Sequence, residues 1–231
     1  MKCLKTLLLA VPLSLSAISA ISASAGGPAL PVFEPARTAL VVTDPQNDFL
    51  SEKGKLHGLL AENLKELGTL ENLEQLMRAA RSAGIPLVVD PLVFVPADGA
   101  RTHAGTLQRQ LLDMGALQGW GAEFHERYLP YIRGDGARVV APHKLYGPES
   151  NDLIYQLRSH GIDTVVLAGL VANLCVDSHM RALMENGFRV YVVKDAVAAT
   201  GRDAYQAALV NFGMIANGVL STREAVAAMA R

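Results

Sequence analysis

The chain has 231 residues, of which 50% are hydrophobic and 19% are charged, and its formal net charge at pH 7 is −1. This length suits one domain with a substantial hydrophobic core. The balanced charge, without a basic stripe or an arginine-rich run, argues against nucleic acid as a partner.

The first 25 residues have the pattern of a secretory signal peptide. Lys2 and Lys5 precede an apolar stretch over residues 7–21, and the small-residue triplet Ala-Ser-Ala ends at residue 25. A charged head, an apolar core and an A-x-A site in this order are typical of a cleaved signal. A membrane anchor is the alternative, but the apolar core is short and Pro12 interrupts it. We predict a signal peptide over 1–25, one domain over 26–231, and a periplasmic or extracellular protein without membrane association after cleavage.

Short β-branched runs alternate with helical patterns along the rest of the chain. In chain order we predict a strand over 38–44, a helix over 70–84, strands over 85–90 and 137–142, a helix over 150–161 with Ser150 as its N-cap, and a strand over 163–169. A helix that starts near Cys175, a strand over 188–196, a helix over 202–213, a short strand and a helix capped by Ser221 or Thr222 follow. Continuous apolar strands that alternate with helices indicate a parallel sheet covered on both faces.

Three chemically useful side chains follow predicted strands. Asp44 ends the first strand, Lys144 lies just beyond the third, and Cys175 lies in the turn after the fourth. Because ligands of open parallel sheets bind at the carboxyl ends of the strands, we expect these three side chains to meet on one rim.

Cys175 is the only cysteine outside the predicted signal peptide, since the other is Cys3. A single thiol is either a buried, inert core residue or a nucleophile. Its place in the first turn of a helix favours a thiolate, and a nearby Lys144 would lower the pKa of the thiol further. The turn "GLVANLC" can aim the backbone N–H groups of Val171 and Cys175 at an oxyanion, and Asp44 could take the thiol proton and return it to a leaving amine.

Three segments resemble the isochorismatase-like family, often called cysteine hydrolases: "VVTDPQNDF", "HKLYG" and "GLVANLCVDSHMRALMENGFRVYVVKDA". The resemblance spans about residues 38–199. It implies an α/β three-layer sandwich with a six-stranded, mainly parallel sheet flanked by helices, and a cis peptide between Leu170 and Val171. It also implies an Asp–Lys–Cys triad at Asp44, Lys144 and Cys175 that hydrolyses a small amide or ureido C–N bond through a thioester. Members usually form dimers or larger assemblies, so we expect a homo-oligomer that acts on a small molecule without a cofactor.

Two departures from the family bear on the reaction. Nicotinamidases of the family hold a metal through an Asp-x-His pair after the second strand; here Asp90 is present but Leu92 stands at the histidine position. Since metal ligands occur as sets, we expect no bound metal. Some isochorismatases cleave a vinyl ether without a cysteine, so Cys175 favours C–N hydrolysis. Ether hydrolysis and a catalytically silent, small-molecule-binding role remain the alternatives.

The segment over 91–136 has mixed character and is long enough to form a lid or a subunit contact. Candidate walls of the substrate pocket are Phe49, Trp120 and Tyr146, with core packing as an equal alternative for each.

Several neighbouring polar residues have weaker roles. We expect Gln46, Asn47 and Asp48 to hold the first loop through hydrogen bonds. His143 lines the pocket or caps its turn, and the sequence leaves both possibilities open. His179 lies four residues after Cys175 on the same helical face, and a packed or solvated histidine is favoured over a pair with the thiol.

Overall fold

The protein is represented by a computed structural model that describes residues 30–95, 97–98 and 103–231; the predicted signal peptide lies outside these residues. Six strands form one sheet in the order β3-β2-β1-β4-β5-β6, and each neighbouring pair is parallel. The strands are β1 (Thr38–Thr43), β2 (Leu87–Asp90), β3 (Ala137–Val139), β4 (Thr164–Leu170), β5 (Arg189–Ala198) and β6 (Gly218–Leu220). The predicted six-stranded, mainly parallel sheet is confirmed.

Helices flank this sheet and complete the predicted three-layer α/β sandwich. Helix α3 packs against α9, and α7 packs against α8. The α-helices of the described residues are α1 (Asn47–Leu50), α2 (His57–Leu67), α3 (Thr69–Ala83), α4 (Thr106–Asp113), α5 (Leu129–Ile132), α6 (Leu153–Ser159), α7 (Asp177–Glu185), α8 (Arg202–Ile215) and α9 (Thr222–Met229). No helix of these residues combines the length and the apolar character that a membrane span requires.

The central strands are apolar on both faces because both faces are covered. Every residue of β1, β2 and β4 is buried. Helix α3 contributes one apolar face, on which Leu73, Leu76, Met77 and Ala80 are buried. Each large aliphatic side chain removed from water in this way contributes about 1.5–3 kcal/mol.

One predicted helix N-cap is absent from the structure, and the other is present. Ser150 does not cap the helix that was predicted to begin there: α6 begins at Leu153, and the Ser150 hydroxyl instead accepts a hydrogen bond from the Lys144 backbone N–H at 3.0 Å. Ser221 does cap α9, in a reciprocal capping box with Glu224. Helices α2 and α4 lie in segments for which no helix was predicted.

Successive strands are added first on one side of β1 and then on the other, so the order of the strands reverses at the centre of the sheet. From β1 the chain proceeds to β2 and β3 on one side, and then crosses back so that β4, β5 and β6 extend on the other. Strands β1 and β4 are therefore neighbours at a topological switch point, where open α/β sheets bind their ligands. Asp44 follows β1 and Cys175 follows β4.

Candidate active site

Asp44 is held rigidly where β1 ends. Its carboxyl is completely buried, and its backbone N–H donates to the Asp90 carbonyl at 2.9 Å. Its φ of 55° lies in the left-handed region, which aspartate tolerates better than most residues. Beside it, a side chain at Gly169 would collide with the Thr43 backbone, so glycine is required for β4 to pass this close to β1.

The loop after Asp44 is fixed by side chains, as predicted. The Gln46 amide bonds to both backbone groups of Leu92, with Nε2 to the carbonyl at 2.9 Å and the N–H to Oε1 at 3.0 Å. Asn47 Nδ2 donates to the Trp120 carbonyl at 2.9 Å, and Asp48 Oδ1 accepts from the Lys55 backbone at 3.1 Å. The bonds of Gln46 and Asn47 tie Leu92 and Trp120 to the rim of the sheet.

Cys175 lies in a single π-helical turn, Ala172–Val176, that leads directly into α7. Its side chain is buried, and the thiol donates to the Leu145 carbonyl at 3.0 Å. The peptide bond between Leu170 and Val171 is cis, as the family resemblance implied. The sulfur therefore faces the segment that contains the predicted lysine.

In that segment His143, and not Lys144, contacts Asp44. His143 Nε2 lies 2.9 Å from Asp44 Oδ1, and both side chains are fully buried. The Lys144 ammonium instead donates to the Val93 carbonyl at 2.8 Å and pairs with Asp98 at 3.1 Å. The prediction that Lys144 lies beside Asp44 and Cys175 is wrong in this structure.

The reason is the alternation of side chains along extended backbone. His143 pairs with Leu92 as an isolated parallel bridge, and its N–H donates to the Pro91 carbonyl at 3.0 Å. Successive residues of such a segment point to opposite sides. A difference of one position therefore decides which basic side chain enters the site, and the adjacent "HK" in the sequence was the only available signal.

A carboxylate oxygen of Asp44, a ring nitrogen of His143 and the sulfur of Cys175 all lie within 4.8 Å of one another. Asp44 Oδ2 has no hydrogen-bond partner among the described residues, and neither does His143 Nδ1. The carboxylate thus keeps one oxygen anchored by the imidazole and one oxygen available to accept a proton.

A second buried pair supports the first. His179 Nε2 lies 2.9 Å from Asp90 Oδ2, and its Nδ1 lies 2.7 Å from the Cys175 carbonyl. Asn151 Nδ2 donates to Asp90 Oδ1 at 2.7 Å. The rings of His143 and His179 meet edge to face, with centroids 5.0 Å apart. His179 is therefore packed under the cysteine turn and does not pair with the thiol, as favoured from the sequence.

The titration of the thiol differs from the prediction. Burial and the negative charge of Asp44 raise the pKa of the Cys175 thiol well above its usual value, although a hydrogen bond from the Val171 backbone acts in the opposite direction. This direction is opposite to the one expected for a thiol at a helix N-terminus. The prediction failed because burial and a neighbouring carboxylate both disfavour a second negative charge.

The imidazole titrates in the direction that suits its partner. Burial lowers the pKa of His143, but the nearby carboxylates, Asp44 above all and then Asp90, outweigh burial and raise it above its ordinary value. The charged imidazolium therefore persists to higher pH than that of a free histidine.

A cavity opens next to Cys175, and two of the three predicted wall residues line it. Phe49 and Tyr146 face this cavity. Trp120 does not: it is 48% exposed and lines a separate surface groove with Asn47 and Phe124. Its position in the segment over 91–136 gave no periodic pattern from which its direction could be predicted.

Two overlapping sets of side chains have the composition and spacing of metal ligands. They are Asp44, His143 and Cys175, and Asp90, His143 and His179. The nicotinamidase type of set is incomplete, because Leu92 is buried at the position where that set needs a histidine. No step of the reaction proposed below uses a metal.

A buried cysteine, carboxylate and imidazole at the switch point of a parallel α/β sheet define a site of the cysteine hydrolase class. Comparison with known proteins agrees with this class. A family model described as the isochorismatase domain matches residues 38–224. The chain belongs to the isochorismatase family.

Known relatives cover most of the chain. The ureidoacrylate amidohydrolase RutB of Pseudomonas savastanoi pv. phaseolicola is 32% identical over 208 residues, or 80% of this chain and 82% of that protein. A solved cysteine hydrolase from Pseudomonas syringae pv. phaseolicola superposes with a TM-score of 0.74 at 21% identity, over 88% of this chain and 98% of that one. The solved structure of N-carbamoylsarcosine amidase from Thermoplasma acidophilum superposes with a TM-score of 0.64 at 26% identity, over 80% of this chain and 96% of that one.

Proposed function

We propose that the protein hydrolyses a small amide or ureido C–N bond through a thioester on Cys175, with Asp44 as the proton carrier and His143 in the place expected for Lys144. The observation that carries this proposal is the buried cluster in which Asp44, His143 and Cys175 lie within 4.8 Å of one another. Relatives that act on C–N bonds, including a ureidoacrylate amidohydrolase, support the same reaction type.

In the first half-reaction the sulfur attacks the carbonyl carbon while its proton moves to the unpartnered Oδ2 of Asp44. Removal of the proton during attack suits a thiol whose pKa is raised, because the thiolate does not have to exist beforehand. The developing oxyanion is stabilised by the backbone N–H groups of Val171 and Cys175. Asp44 then gives the proton to the leaving nitrogen, the C–N bond breaks, and an acyl thioester remains.

In the second half-reaction Asp44 takes a proton from water, which attacks the thioester. The C–S bond breaks, the acid leaves, and the proton returns to the sulfur. His143 supports both halves by donating its Nε2 proton to Asp44 Oδ1 at 2.9 Å, which holds the carboxylate in place and balances its charge.

The test compares the wild-type protein with Cys175→Ala on a panel of simple amides, ureido acids and isochorismate. We expect the wild type to release amine from at least one C–N substrate and the variant to lose at least about a thousandfold in kcat/KM. Hydrolysis of isochorismate that survives in Cys175→Ala would favour ether cleavage. Specific binding without turnover in the wild type would favour the silent, ligand-binding alternative.

We further propose that the protein is exported, that its signal peptide is cleaved after residue 25, and that the mature protein works as a homo-oligomer outside the cytoplasm. The signal pattern described above supports export. N-terminal sequencing of the protein recovered from the periplasm or medium, and sedimentation of the same sample, test the two points. A mature chain that still begins at Met1, or a strictly monomeric one, would contradict them.

A further inference from the structure

The cavity beside the nucleophile is built from apolar side chains. Of the described residues that line it, eight are leucines, and beyond Cys175 only Tyr146 and Thr200 carry a polar side-chain group. Helix α2 contributes Leu59 and Leu60, and α4 contributes Leu107 and Leu111. None of these lining residues carries a charge, and the cavity has a volume of about 60 Å³.

The cations nearest in sequence to this wall are already engaged elsewhere. Lys144, which precedes the lining residues Leu145 and Tyr146, donates to the Val93 carbonyl and pairs with Asp98. Lys55, which precedes Leu56, donates to the Gly115 carbonyl at 2.6 Å. A carboxylate inside the cavity would therefore lose its water without gaining a partner among the described lining residues.

We infer that the group next to the scissile bond of the substrate is small, uncharged and apolar, so that the protein acts on short neutral amides in preference to carboxylate-bearing ureido or amido acids. This inference rests on the proposed function and narrows its substrate class. An uncharged alkyl group is favoured by burial against the leucines, at about 0.8 kcal/mol or nearly fourfold in rate for each methylene. An unpaired buried charge carries a much larger penalty. The cavity volume, far below the 300–1,000 Å³ of typical ligand pockets, limits the group to a few carbon atoms.

The experiment measures kcat/KM of the full chain for acetamide, propanamide and butanamide, and for succinamate, which has a carboxylate where butanamide has its methyl group. Ureidoacrylate is included as a second carboxylate substrate. We expect the value to rise about fourfold for each added methylene and to be at least about a hundredfold lower for succinamate than for butanamide.

The outcomes separate this inference from the proposed function. Hydrolysis of succinamate or ureidoacrylate at rates equal to or above those of butanamide would overturn the inference and leave the hydrolase function standing. Absence of turnover with every probe, together with no acyl adduct on Cys175, would overturn both.

A matched pair of variants checks the cavity itself. Leu59 lines the cavity although it is 59% exposed, so Leu59→Arg can introduce a cation at the wall without burying it. Val210 on α8 is 61% exposed and outside the cavity, which makes Val210→Arg the control. We expect the ratio of succinamate to butanamide turnover to rise at least about tenfold in Leu59→Arg and to stay unchanged in Val210→Arg. Equal ratios in the two variants would overturn the assignment of this cavity to the substrate.

Discussion

Replacing His143 by glutamine tests which basic residue serves the carboxylate. In the structure His143 Nε2 donates to Asp44 Oδ1 at 2.9 Å, and both side chains are fully buried. The glutamine amide can still donate a neutral hydrogen bond to Asp44 Oδ1, but it removes the imidazolium charge that balances the carboxylate. If Asp44 carries the proton in the transition state, we expect the loss of this charge to lie at the lower end of the about 10²–10⁴ that assisted proton transfer contributes.

We therefore expect His143→Gln to reduce kcat/KM by about 10²–10³, whereas Lys144→Gln changes it by less than about threefold. The lysine is the matched control because it is adjacent, its side chain is 25% exposed, and its ammonium pairs with Asp98 away from the sulfur. The assay is amine release under kcat/KM conditions at pH 7.5, with thermal unfolding of each variant recorded so that only folded protein is compared. A collapse of activity in Lys144→Gln with near-normal rates in His143→Gln would refute the placement.

Three further predictions concern titration and stability. The Asp44 charge contributes to the raised pKa of the Cys175 thiol. Asp44→Asn should therefore move the thiolate absorbance transition, measured as a difference against Cys175→Ala, to lower pH, and hydrolysis should fall at least about a hundredfold. A transition that moves to higher pH would contradict this assignment. Asp90 contributes to the raised pKa of His143. We expect kcat/KM to decline at alkaline pH as His143 loses its proton, and in Asp90→Asn this decline should begin at lower pH than in the wild type. An unchanged decline would mean that another group governs it. Ser221→Ala removes the capping box with Glu224 at the start of α9. It should lower the free energy of unfolding, measured in urea, by about 1 kcal/mol without altering kcat/KM. A loss of activity larger than the loss of folded protein would show that α9 reaches the site.

The sheet was predictable because its strands are buried on both faces. Residues of β1 and β4 read as unbroken apolar runs, and the polar residues that follow them, Asp44 and Cys175, lie at the switch point as the strand rule requires. The loop amides at Gln46 and Asn47 were predictable for a similar reason, since polar side chains that follow a strand must satisfy nearby backbone groups.

The partner of the carboxylate was not predictable to the residue. His143 and Lys144 are adjacent, and the direction of each depends on the register of a short extended segment against Leu92, which no pattern in the sequence specifies. The raised pKa of the thiol was missed because it depends on burial and on the Asp44 charge, which are properties of the folded chain. The apolar wall from α4 was missed because that helix is short and lies in a segment of mixed composition.

The most direct measurement of the central claim is the mass of the protein during turnover. Wild-type protein mixed with its best amide, quenched in acid within milliseconds to seconds and digested, should carry the acyl group on the peptide that contains Cys175, and the adduct should disappear as substrate is consumed. The same experiment on His143→Gln should show slower formation of the adduct. Full turnover with an unmodified Cys175 at every time point, and undiminished hydrolysis by Cys175→Ala, would contradict attack by the sulfur.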